Sequence, residues 1–291
     1  MADQAGKVAL ITGAGSGIGQ GTAVRLARDG ADICIAEIDL DGAAETASMV
    51  REFGRSAHVV QCNVASQDQV QAAADECVKE LGGINIAVAN AGIGRGGSVL
   101  DMPLKDWQDQ VDINLTGVFL TVQAAAQRMV AQGDGGRIVC ISSLAALSTS
   151  QWMWSYSATK AGVAMMVRGW ASDLGPHGIN INAIGPGVID TPLAHGLAGD
   201  EGGPIRTALE EATPLGRSGA PSDIAGLISF LVGPDADFMT GSYLVMDGGI
   251  RDARGGNLLE DPETPLGQER ARHMQASEER NARMQPLIDQ R

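Results

Sequence analysis

Short apolar runs alternate with longer stretches of helical period along most of the chain. Residues 8–11, 33–36, 57–61, 84–89, 137–141, 178–184 and 242–246 read as seven strands. Between them, a helical pattern through Val24, Leu26 and Ala27 ends at Gly30. Further helices are expected over 41–53, over 67–81 with a stop at Gly82-Gly83, over 103–131, from Ser157 onward, and over 221–232. Residues 192–213 read as an irregular, Gly- and Ala-rich segment of the kind that forms a mobile lid. Strands interleaved with helices imply an α/β chain with one doubly wound parallel sheet, its ligand at the C-terminal ends of the strands. Residues 1–249 form that domain, and 250–291 form a C-terminal extension.

Composition narrows the picture. Only 3% of residues are aromatic against 44% hydrophobic, so the core must be built mainly from Ala, Val, Ile and Leu. A formal net charge of −14 argues against nucleic acid or an anionic membrane as partner. Cys34, Cys62, Cys77 and Cys140 have no metal-ligand spacing and read as small buried hydrophobes, so no metal is expected. The N-terminus lacks a basic region followed by an apolar one, and no run is long enough to span a bilayer, which points to the cytoplasm.

Candidate chemistry gathers at strand ends. After the first strand, Thr12-Gly13-Ala14-Gly15-Ser16-Gly17-Ile18-Gly19 offers bare backbone amides and a helix N-terminus to an anion, as a pyrophosphate site requires. The spacing departs from G-x-G-x-x-G. Glu37 ends the second strand, where a carboxylate accepts from a ribose 2′-hydroxyl and repels a 2′-phosphate. No Arg or Lys occurs from Ala31 to Gly42, so NAD is favoured over NADP. Asn63, before Val64, is a short polar side chain that could meet an adenine edge. Asn90-Ala91-Gly92 is either a brace between strands that lets the cofactor approach or an ordinary turn, and Asn114 is either a distortion within its helix or a surface residue. Tyr156 and Lys160 stand four residues apart on one helix face, where the ammonium favours the phenolate and lowers the tyrosine pKa. Ser143, just past the fifth strand, can meet the first turn of that helix. Gly185-Pro186-Gly187 fixes a loop through Ile189 to Thr191 that can present backbone groups to a carboxamide.

Taken together, these motifs over residues 6–249 resemble the classical short-chain dehydrogenase/reductase family, whose domain is of Rossmann type. Thr12-Gly13-x-x-x-Gly17-x-Gly19 is similar to its cofactor loop, Asn90-Ala91-Gly92 to its sheet brace, and Asn114, Ser143, Tyr156 and Lys160 to its catalytic tetrad. Pro186-Gly187 with Thr191 is similar to its nicotinamide loop. Ala89 and Asn63 depart from the common asparagine and aspartate, and the tail departs most. The resemblance implies NAD held by Gly13, Ser16, Gly17, Ile18, Gly19, Glu37, Asn63, Val64, Asn90, Ala91, Gly92, Tyr156, Lys160, Pro186, Gly187, Ile189 and Thr191. It further implies Tyr156 as acid or base, Ser143 on the substrate oxygen, Lys160 on the ribose, and a water anchored by Asn114.

Substrate contacts are expected from Ser143, Ala145, Trp152 and Tyr156, with Leu144, Met153 and Trp154 in the same segment and Arg95 at the mouth. This suggests a bulky apolar or cyclic secondary alcohol or its ketone, unless the tryptophans fill an oligomer interface instead. A 3-oxoacyl thioester reductase is the second reading, and a dinucleotide-sensing regulator without turnover the third. The resemblance implies a homotetramer or homodimer. The tail, with a possible helix over 266–284, is either a solvated arm or a cap over a pocket.

Overall fold

The computed structural model describes residues 4–150, 152–198 and 203–252. The 253–291 part of the extension, including the possible helix over 266–284, lies outside the described residues.

The strands are β1 (Val8–Thr12), β2 (Asp32–Glu37), β3 (Ala57–Gln61), β4 (Ile86–Ala89), β5 (Gly136–Ile141), β6 (Ile179–Pro186) and β7 (Tyr243–Met246). All pair in parallel in the order β3-β2-β1-β4-β5-β6-β7. Between them run α1 (Gly17–Arg28), α2 (Leu40–Glu52), α3 (Gln67–Leu81), α4 (Leu104–Val111), α5 (Gly117–Gln132), α6 (Trp154–Leu174), α7 (Pro192–Ala198), α8 (Pro204–Ala212) and α9 (Pro221–Leu231). The direction of winding reverses between β1 and β4. That is where an open parallel sheet leaves a crevice for a ligand.

The inner strands bury both faces, as the apolar runs require, while the edge strands β3 and β7 are only partly buried. Leu10 points into a core with Ala73 of α3, Ala125 of α5 and Val163 of α6. Its neighbours Ala9 and Ile11 point the other way, toward Leu26 of α1, Ala47 of α2 and Ile228 of α9. Small side chains let the helices approach the sheet closely. All four cysteines are free and buried.

Three expectations shift. The fourth strand starts at Ile86 because side chains hold the two residues before it: Gln132 bonds both the N–H and the carbonyl of Ile84, and Asn85 accepts from Val8 N–H at 2.9 Å. The helical stretch over 103–131 is divided by a π-helical turn, Asp112–Thr116, with Asn114 at its centre, so the distortion is real. Among the described residues of 192–213 the chain is mostly helical, not irregular, since Pro192 and Pro204 each start a helix at its first position, which proline suits. No described helix is long and apolar enough to cross a membrane.

Candidate active site

Placement of the candidate groups begins at the end of β5, where two successive residues tie down α6. The Ile141 carbonyl accepts from Lys160 Nζ at 3.0 Å, and Ser142 Oγ donates to the Lys160 carbonyl at 2.8 Å. Ser143 caps a short 3-10 turn, Leu144–Ala146, its Oγ accepting from Ala145 N–H at 3.1 Å. Helix α6 begins three residues earlier than the pattern suggests, so Tyr156 and Lys160 both lie inside it. They are 7% and 3% exposed, which makes their charges expensive.

That burial overturns one expectation. Lys160 Nζ stands 5.7 Å from the Tyr156 ring centroid and does not lower its pKa. In the protein alone, burial pushes the Tyr156 phenol up to about 12, against a smaller downward pull from the Ser143 hydroxyl. Burial likewise brings Lys160 down to about 8. At neutral pH the tyrosine is therefore a protonated donor.

Asn114 touches no ligand surface. It is fully buried, with Oδ1 accepting from Ile93 N–H at 2.8 Å and Nδ2 donating to the Ile93 carbonyl at 2.8 Å and to Thr159 Oγ1 at 3.3 Å. A Cβ on Gly92 would lie 3.2 Å from Asn114 Oδ1 and 3.4 Å from Lys160 Nζ, so the glycine lets these two groups come together.

The residues at the switch point fit a dinucleotide. Asn90 braces the strands: its N–H reaches Thr12 Oγ1, and its Nδ2 donates to the carbonyls of Thr12 and Gly13 at 3.0 and 2.8 Å. Gly13 has φ +66°, and a Cβ there would lie 2.7 Å from Ala91 Cα. Helix α1 starts with no side-chain cap from Ser16 and no acidic residue in its first turn, leaving its first amides for an anion. The Glu37 carboxylate leans over this loop, accepting from Gly15 N–H at 2.8 Å and from the N–H groups of Ile38 and Asp39. Gly19 plays a packing part: its Cβ would stand 2.1 Å from the Gly13 carbonyl oxygen and 2.6 Å from Asn90 Nδ2. Gly19→Ala is expected to cost about 1–3 kcal/mol and to weaken NADH binding at least tenfold, read by thermal melting and by NADH fluorescence titration.

A cleft of about 1150 Å³ joins these parts. Every predicted site residue lines it except Asn114 and Gly19, which act from behind its wall. The substrate end needs correction, however. Trp152 and Met153 face the cleft, but Trp154 stacks on Trp107 at 5.7 Å and donates Nε1–H to the Gly97 carbonyl at 3.0 Å. Arg95 does not line it, because Gln110 and Ser155 hold its backbone on the loop outside. Trp152 has φ +68°, a left-handed conformation costly for a bulky residue; its carbonyl is held by Gly97 N–H at 3.0 Å. Sequence reasoning missed Ile93, the apolar residues Leu193, Leu197, Ile205 and Leu209 on α7 and α8, and Arg251, all of which line the cleft. No motif marks these positions, since each is brought there by a remote element. Among the described residues, no cluster of metal-ligating side chains occurs.

Comparison with known proteins agrees with this geometry. Residues 13–251 match the family model described as enoyl-(acyl carrier protein) reductase. The L-rhamnose 1-dehydrogenase (NAD(P)(+)) of Sphingomonas sp. (strain SKA58) is 39% identical over 246 residues, 84% of this chain and 96% of that protein. A short-chain type dehydrogenase/reductase from Mycobacterium marinum superposes with a TM-score of 0.81 at 41% identity, over 86% of this chain and 97% of its own. A 7α-hydroxysteroid dehydrogenase complexed with NADH and 7-oxo glycochenodeoxycholic acid gives 0.80 at 35% identity, over 85% of this chain and 95% of its own. With these matches, the glycine loop at the switch point and Tyr156 beside Lys160 on one helix, the chain belongs to the classical short-chain dehydrogenase/reductase family and is an oxidoreductase.

Proposed function

We propose that the protein interconverts a bulky or cyclic secondary alcohol and its ketone with NAD. The observation that carries this reading is the buried Tyr156 phenol, beside Ser143 and Lys160, opening on a cleft whose substrate end is lined by Trp152, Met153 and the apolar residues of α7 and α8. When bound, the dinucleotide supplies the hydride acceptor or donor at its nicotinamide ring. The Gly13–Gly19 loop and the start of α1 hold its pyrophosphate, Glu37 its adenosine ribose, Asn63 and Val64 its adenine, and Pro186, Gly187, Ile189 and Thr191 its carboxamide. Lys160 binds the other ribose. Toward an alcohol, Tyr156 takes the hydroxyl proton as the hydride leaves carbon, while Ser143 holds the oxygen. Helices α7 and α8 act as the lid. The steroid-bound relative supports a large cyclic substrate, whereas the sugar dehydrogenase shows a related framework serving a polar one.

The reading is tested by offering NAD⁺ and NADP⁺ separately with cyclic, terpenoid, steroid and aryl secondary alcohols and following absorbance of the reduced nicotinamide. Turnover with NAD⁺ on one bulky class is expected. A 3-oxoacyl-[acyl-carrier-protein] reductase of Aquifex aeolicus, 35% identical over 84% of this chain, favours a second reading, reduction of the 3-oxo group of an acyl thioester; turnover confined to NADPH with 3-oxoacyl thioesters would replace the first by it.

Direction should depend on pH with a definite sign. Because burial keeps Tyr156 protonated up to about 12, the acid form needed for ketone reduction dominates at neutral pH. Alcohol oxidation needs the phenolate, so its kcat/KM should rise about tenfold per pH unit below that group's pKa, while reduction does not rise. A flat oxidation profile from pH 6 to 10 would contradict the role of Tyr156.

Assembly as a homodimer or homotetramer belongs to the same proposal. The outer faces of α5 and α6 carry a groove of about 480 Å³ lined in part by Phe119, Val130, Trp170 and Leu174, an apolar patch suited to cover by a second copy. Light scattering should return a multiple of 30.1 kDa.

A further inference from the structure

We propose that Tyr243, on the edge strand β7, is a positioning residue that holds Ser143 in its working orientation. The chain contains two tyrosines, and the chemistry described above uses only Tyr156. Tyr243 pairs in register with Ala183 of β6, and its side chain passes over Gly185, where a Cβ would strike the phenol ring and hydroxyl. Only glycine leaves room for that path. By it the Tyr243 hydroxyl crosses β6 and donates a hydrogen bond to the Ser143 carbonyl at the end of β5, lying 3.4 Å from Ser142 Oγ.

The consequence follows from how the β5 end is tied. Ile141 and Ser142 are each bonded to Lys160 on α6, which fixes the strand from one side. Ser143 lacks the tie to Lys160: its Oγ accepts from Ala145 N–H and hydrogen-bonds with the Tyr156 hydroxyl, and its carbonyl accepts from Ala146 N–H at 2.9 Å within the turn and from Tyr243 across the sheet. The peptide plane after Ser143 is thus held from within its turn by Ala146 and from outside it by a residue 100 positions away. Since that plane carries the turn to which Ser143 Oγ is bonded, the Tyr243 hydroxyl helps set where the Ser143 hydroxyl points. It does so without lining the cleft itself. This role rests on the proposed function only in taking Ser143 as the substrate-oxygen donor.

Tyr243→Phe keeps the ring over Gly185 and removes only the hydroxyl. With NAD⁺ and cyclohexanol as the probe alcohol, or the best alcohol of the panel, kcat/KM should fall about tenfold, while the affinity for NADH changes less than twofold. In a Ser143→Ala background, which has already lost the positioned group, Tyr243→Phe should cost less than a further twofold. Equal losses in both backgrounds would mean that Tyr243 acts on the fold in general and would overturn the proposal. A readout independent of turnover separates its failure from failure of the functional reading: amide exchange at Ala145, whose N–H bonds Ser143 Oγ, should speed up at least tenfold in Tyr243→Phe. Unchanged Ala145 exchange would also refute it, whatever the substrate proves to be.

Discussion

Tyr156→Phe should lower kcat by about 10²–10⁴-fold, or about 3–5 kcal/mol of transition-state stabilisation, with NADH affinity and melting temperature nearly unchanged. The ring is 7% exposed and packed within α6, and phenylalanine refills the same space, so the substitution removes a proton donor without leaving a hole. Only the hydroxyl is lost. Its effect is large because phenylalanine carries no exchangeable proton and a serine hydroxyl is a far weaker acid than a phenol, so Ser143 does not take over the role. Single-turnover kinetics with equilibrium NADH titration would separate chemistry from binding. Retention of more than a tenth of the wild-type rate would remove Tyr156 from the acid–base role. Full biological activity of a variant without turnover would instead favour the sensing role.

Glu37→Ala should cut the preference for NAD⁺ over NADP⁺ by about 10- to 100-fold, mostly through weaker NAD⁺ use. The carboxylate is held in place by three backbone N–H groups, one of them from the cofactor loop itself, so it meets a ribose hydroxyl without first being ordered. Loss of a hydrogen bond to a charged acceptor costs about 1.5–3 kcal/mol. NADP⁺ should gain less, because no Arg or Lys lies between Ala31 and Gly42 to receive its phosphate. The ratio of kcat/KM values for the two cofactors measures the effect, and an unchanged ratio would place the determinant elsewhere.

These two residues were legible in the sequence for different reasons. Tyr156 and Lys160 need only the helical repeat to share a face. Glu37 needs only to end a strand whose partner carries the glycine loop, and the parallel register of β1 with β2 does the rest. The same logic explains Asn90 and Ala91, which the register of β4 beside β1 brings to Gly13. Departures came where a local pattern had two outcomes. Trp152 and Trp154 are two residues apart on the border of a helix, and the sequence does not say which indole enters the cleft; Trp107 and Gly97 decide it by capturing Trp154. Burial reversed the expected direction of the Tyr156 pKa, because desolvation depends on every element packed around the phenol, whereas the tyrosine–lysine spacing describes one neighbour only.

By itself, then, the sequence determined the alternation of strands and helices, the glycine loop and the placing of Tyr156 and Lys160 on one helix face. Each depends on contacts within about four residues or on a strand's own repeat, and such information is carried by adjacent side chains. Tertiary structure alone decided which apolar residues of α7 and α8 face the cleft, that Asn114 spends its amide on Ile93, and that Tyr243 reaches across β6 to Ser143. Those contacts join residues tens to a hundred positions apart. They exist only once the sheet order brings β5, β6 and β7 side by side, so no local pattern records them.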